Sequence, residues 1–123
     1  MSVDSIHSRV MAERRRQRLG VAGQECTAML KILESIGVEV RVTGDLATGQ
    51  FETYSEIELL ILDHGEHSDT EIRQVVDACQ PSQAVCLIYF DQLATETYRK
   101  QHLSISKSSE ELLAFLAETR AEY

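Results

Sequence analysis

The sequence predicts an α/β (α+β) fold, a small mixed, mostly antiparallel sheet with helices packed on one side. Three observations predict it. An amphipathic stripe fills the first third of the chain, two short apolar runs follow it closely, and two capping boxes open helices further on. A chain of 123 residues suits one domain burying roughly two thirds of its unfolded surface. That domain is expected to comprise a long helix over 4–36, a core over 38–106 and a final helix over 109–121.

The first helix follows from Leu19, Ala22, Cys26, Met29, Leu33 and Ile36, which recur at spacings of three and four. Gly20 and Gly23 weaken its middle, and Gly37 stands where a left-handed residue closes a helix. Val38 to Val42 alternates as a half-buried strand does. Ile57 to Leu62 is an apolar run too short for a free helix and reads as a second strand, antiparallel to the first. Asp63 to Asp69 is a polar loop. Its His64 and His67 are metal-ligand types, but no third imidazole or thiol stands at ligand spacing. Ser68 with Glu71 is a capping box for a helix that buries Ile72, Val75, Val76 and Cys79, and Pro81 marks its stop. Ala84 to Phe90 is a third strand, uncharged and therefore expected to be covered on both faces. Thr95 to Leu103 reads as a short helix with Tyr98 and His102 on one side, and Leu103 to Ile105 as a brief edge strand. Ser108 with Glu111 opens the last helix, which docks Leu112, Phe115 and Leu116 on the core.

The net charge of −8 is unevenly spread. Residues 1–41 hold seven Arg/Lys against five Asp/Glu, whereas residues 42–123 hold five against fifteen. So acidic a body argues against a broad nucleic-acid surface, which needs to neutralise phosphates. The strip Glu13 to Arg18 reads as a solvated helical face, with docking to an acidic partner or a phosphate as the sharper alternative. Val3, Ile6 and Val10 add a weaker apolar edge that a partner chain would cover. Cys26, Cys79 and Cys86 lack C-x-x-C spacing and read as reduced thiols. No apolar run approaches the ~18 residues of a membrane span, and Met11 to Arg18 is charged where a secretory leader is apolar. A cytoplasmic location is expected.

The stretch from Val42 to Asp63 carries the functional signal. Thr43-Gly44-Asp45 follows the first strand, and a glycine there lets backbone N–H groups approach an anion. On the second strand, residues two apart share a face, so Glu56 and Glu58 point the same way. Two such carboxylates beside an apolar strand are costly unless a cation or donors meet them. With Gly44, Leu46, Ala47, Gly49, Phe51, Ser55, Ile57, Leu59 and Leu60 in place, the run resembles the motif of the DNA polymerase β-like nucleotidyltransferases. In that motif a Gly-Ser and a short helix lead to Ser-Asp-x-Asp and an apolar strand. The small minimal nucleotidyltransferases are the most similar branch.

The resemblance implies a nucleotide site at Gly44, Asp45, Gly49 and Ser55, with metal carboxylates at Glu56 and Glu58. It also implies a third acid on a neighbouring strand, in a V-D-L-V segment. Val85-Cys86-Leu87-Ile88 looks similar, which places Cys86 at the acidic position. Three acids of this kind hold paired divalent ions for phosphoryl transfer. This chain departs from the pattern at each of them. A mostly neutral thiol is a poor magnesium ligand. Each Glu adds roughly 1.5 Å of reach over Asp, against ions that need about 3.5–4 Å separation. Asp45 puts an anion at the family's Ser position, where two charges 4 Å apart repel by about 4 kcal/mol at an effective dielectric of 20.

Three functions are therefore expected, in order. The first is a nucleotidyltransferase-fold protein with degenerate catalytic positions (Glu56, Glu58, Cys86), inactive or weakly active, needing no cofactor. It acts by protein binding, as antitoxin-type minimal nucleotidyltransferases do with HEPN-type ribonucleases. The second is an active enzyme using Mg²⁺ and a nucleoside triphosphate (ATP for example) to move a nucleotidyl group to a hydroxyl. The third is a structural protein that self-associates through its N-terminal helix.

Overall fold

The computed structural model describes residues 3–121. Helix α1 runs from Val3 to Ser35, strand β1 from Glu39 to Thr43 and the short helix α2 from Gly44 to Thr48. Strand β2 (Ile57–Asp63), helix α3 (Asp69–Ala78) and strand β3 (Val85–Tyr89) follow. A 3-10 turn at Phe90–Gln92 leads to α4 (Glu96–Ile105) and α5 (Ser109–Ala121). The sheet has the order β1-β2-β3, with β1 antiparallel and β3 parallel to the central β2. This is the α+β class the sequence predicts.

One face of the sheet carries the core. Val40, Val42, Ile57, Leu59 and Ile61 alternate onto it, and α1 lays Ala22, Cys26, Met29, Leu30 and Leu33 against them. Ile72 and Val76 of α3 and Leu112 of α5 complete the cluster. Each fully buried Leu, Ile or Met here contributes about 1.5–3 kcal/mol. Burial also pushes the Cys26 thiol up to about 12. The end of α1 is a Schellman turn: Gly37, at φ 87°, donates to Glu34 O at 3.1 Å and Val38 donates to Leu33 O at 3.0 Å. The expected capping box of α3 is present, with Ser68 Oγ accepting from Glu71 N and the Glu71 side chain returning to Ser68 N.

Two expectations are corrected. The third strand is not covered on both faces: β3 is the sheet's edge, and only Val85 is buried. Its uncharged sequence resembles a central strand because half-burial from one neighbour already excludes charge. The segment Leu103 to Ile105 is not a strand either, since α4 continues through Ile105 and the edge pairing comes two residues later. There Lys107 N donates to Val42 O at 2.8 Å and Val42 N to Lys107 O at 2.9 Å. The Lys107 ammonium caps α2 at Ala47 O and lies 5.0 Å from the Phe115 ring centre. Arg41 ties the same joint down through Ser106 Oγ at 2.8 Å, Ser106 O at 3.1 Å and the Glu111 carboxylate at 3.1 Å.

Candidate functional site

Thr43, Glu58 and Cys86 form one rung across the three strands. Thr43 pairs with Glu58 on the antiparallel side, and Glu58 with Cys86 on the parallel side. Residues directly opposite share a face, so the three side chains line up on the face away from the main core. Parity carries Glu56, two residues before Glu58, to the same side. Glu56 is exposed, Glu58 and Cys86 are half-buried, and Thr43 is fully buried.

The Glu58 carboxyl lies against Gly44. Gly44 opens α2 at φ 71°, and a Cβ added to it would overlap the Glu58 carboxylate, standing 2.6 Å from its carboxyl carbon. Only glycine leaves that space free in this conformation. Burial raises the Glu58 pKa; the charges of Asp45 and Glu56 add to the rise, and His102 of α4 opposes it. The Cys86 thiol is also pushed up, by burial first and then by Glu56 and Glu58, with Arg73 opposing. Cys86 is therefore held as the neutral thiol.

Asp45 faces a donor within its own loop. It accepts from Ser55 Oγ at 2.7 Å, and Ser55 Oγ in turn accepts from Glu52 N at 2.9 Å. Asp45 and Ser55, two of the four residues read from the sequence as nucleotide contacts, thus tie α2 to the loop before β2. Gly49 closes α2 with Phe115 against it: an added Cβ would stand 2.9 Å from Cζ of that ring. Arg15 and Arg18 of α1 both reach Glu52, each at 3.3 Å.

Two residues that the sequence places at the end of the first strand and on α4, Thr43 and His102, are not expected at this site. Thr43 Oγ1 and His102 Nδ1 are buried without a hydrogen-bond partner. Thr43 makes no side-chain cap on α2, although its pairing with Glu58 follows from the hairpin register. His102 arrives from α4, and no local pattern in the sequence announces that. In the loop after β2, His64 meets Asp69 at 2.5 Å and His67 meets Glu71 and Ile36 O, both at 3.1 Å. Among the described residues, no three His, Cys, Asp or Glu side chains gather as a group able to hold a metal ion.

Comparison with protein-family models, with curated proteins and with solved structures finds no match. The chemistry of this site rests on its geometry. No helix among the described residues is long and apolar enough to cross a membrane.

Proposed function

We propose that this chain is a nucleotidyltransferase-like protein of the cytoplasm whose carboxylates have been altered, and that it acts by binding a protein partner. The observation that carries the reading is the rung of Glu58 and Cys86 beside the Gly44 turn. A glycine turn, a short helix and a carboxylate strand with a neighbour in register are the parts the resemblance requires. Their charges are wrong for transfer. Two carboxylates and a neutral thiol fit poorly to a pair of hard divalent ions. The Glu58 carboxyl also lies directly against Gly44, the turn that the resemblance assigns to the phosphates, and sets a negative charge there. An acidic body without transferase chemistry suits a basic protein partner, as in the antitoxin-type relatives of a HEPN-type ribonuclease.

The test is calorimetric titration of ATP with and without Mg²⁺ or Mn²⁺, alongside labelling from nucleotide tracers. The expected result is no metal-dependent heat and no transfer. Metal-dependent heat that disappears in Glu56→Gln overturns the reading in favour of the active enzyme. A second reading, self-association through α1, draws on Ile6 and Val10, which are 52% and 44% exposed. Deletion of residues 1–18 would then lower the mass in solution.

A further inference from the structure

We infer that β3 is a pairing edge whose occupant is a second copy of this chain, joined antiparallel about Leu87. The two edges of the sheet are unlike. The β1 edge is closed by Lys107, which takes both the N–H and the C=O of Val42. Among the described residues no strand pairs with the outer edge of β3, where a single side chain, Arg73, meets the outward main chain at Val85. Ala84 O accepts from Ile57 N at 2.9 Å, so in the parallel ladder the alternate residues Cys86 and Ile88 also turn their main-chain groups to β2. Val85, Leu87 and Tyr89 therefore turn theirs outward. Arg73 confirms the phase, since its guanidinium donates to the outward carbonyl of Val85 at 2.8 Å.

Outward positions 85, 87 and 89 are symmetric about Leu87. A second copy related by a twofold axis there sets Leu87 against its own counterpart and Val85 against Tyr89. The Leu87 pair and the bond from Val85 N–H to the other copy's Tyr89 carbonyl then form with no slip in register, while the Val85 carbonyl takes Tyr89 N–H only as Arg73 yields it. Charge points to the same occupant. The chain carries −8 overall, yet Val85-Cys86-Leu87-Ile88-Tyr89 has no charged residue, so two acidic chains can approach along it. The charged residues lining the cavity beside the strand are already met within the chain, Asp69 by His64 and Arg73 by Asp77 and the Val85 carbonyl, so neither sets two copies against each other. A five-residue edge lies at the low end of interface sizes, below about 1,200 Å², so the association is weak and concentration-dependent. This inference does not rest on the nucleotidyltransferase reading.

The experiment measures mass by sedimentation at about 10 µM and about 1 mM, the range in which such small interfaces respond. Reducing agent is kept present so that a Cys86 disulfide cannot imitate the dimer. Amide exchange of the intact chain is followed at the same two concentrations. The expected result is a doubling of mass, with exchange at Leu87 and Tyr89 slowed at least several-fold at the higher concentration. Ile88→Lys, checked for native circular dichroism, is expected to stay monomeric. A monomer at both concentrations overturns the inference. So does a dimer whose Leu87 and Tyr89 amides exchange unchanged, because its interface then lies elsewhere. Should Ile88→Lys fail to fold, the exchange data on the unaltered chain decide.

Discussion

The carboxylate of Glu58 rests on the Cα of Gly44, joining the middle strand to the first turn of α2. Two separate costs follow for any side chain at Gly44. The left-handed φ of 71° costs a non-glycine residue about 1–2 kcal/mol, and the new Cβ displaces Glu58 as well. Gly44→Ala is expected to lower the urea midpoint by an amount exceeding the backbone cost alone. In the double variant with Glu58→Ala, the displacement cost disappears and the backbone cost stays. A double-mutant cycle on unfolding free energy separates the two.

Glu58 gives a prediction with a definite sign in pH. Its pKa is raised in the folded chain above the ordinary 4.5, by burial first and then by Asp45 and Glu56. The folded state thus binds its proton more tightly than the unfolded state does, and stability falls as pH rises through the folded value. Glu58→Gln removes that cost. The variant is expected to melt about one or two degrees higher near neutral pH, a modest gain because solvent screens a half-exposed carboxylate. Below the ordinary value of 4.5 the two proteins should converge, as followed by thermal melts across pH.

The residues show where sequence reading reached and where it stopped. The stripe from Leu19 to Ile36 placed α1, because one helix writes its own period. The Ser68 and Glu71 box placed the start of α3 for the same local reason. Strand parity put Glu56 and Glu58 on one face, and the short similarity around Cys86 put it on the neighbouring strand, where it does face Glu58. Long-range facts were not written locally. The edge position of β3 depends on what lies beyond it, the Lys107 bridge on how α4 ends, and His102 on where α4 lands. The orphaned hydroxyl of Thr43 shows only once all three strands are assembled.

The loop between β2 and α3 carries a pH-dependent latch. His67 bridges Glu71 and the carbonyl of Ile36, each at 3.1 Å, and so pins the end of α1 to the start of α3. The Glu71 hydrogen bond, then the Ile36 carbonyl, raises the His67 pKa above the ordinary 6.5. The same contact, with Ser68, lowers Glu71 below 4.5. The histidine's contribution is complete below 6.5 and is lost as pH rises through its folded value. The glutamate's is complete above 4.5 and is lost as pH falls through its own. His67→Gln is therefore expected to cost most stability at about pH 5.5, inside that window, and less at about pH 8. Denaturant midpoints of both proteins at the two values check it.

Gly20 and Gly23 sit three residues apart on α1 and should respond to alanine with opposite signs. An added Cβ at Gly20 meets nothing within 4 Å, whereas at Gly23 it stands 2.5 Å from Cδ1 of Leu116, where α5 crosses. Gly20→Ala therefore gains the ordinary helix preference of about 0.5–1 kcal/mol. Gly23→Ala gains the same preference but forces Leu116 aside, and overpacking of this kind costs about 1–3 kcal/mol. The expected outcome is a higher melting temperature for Gly20→Ala and a lower one for Gly23→Ala. Leu116→Ala made together with Gly23→Ala should cost less than the two single effects summed, because the smaller side chain leaves the new methyl its room. Equal gains at both glycines would mean that α5 does not cross α1 at Gly23.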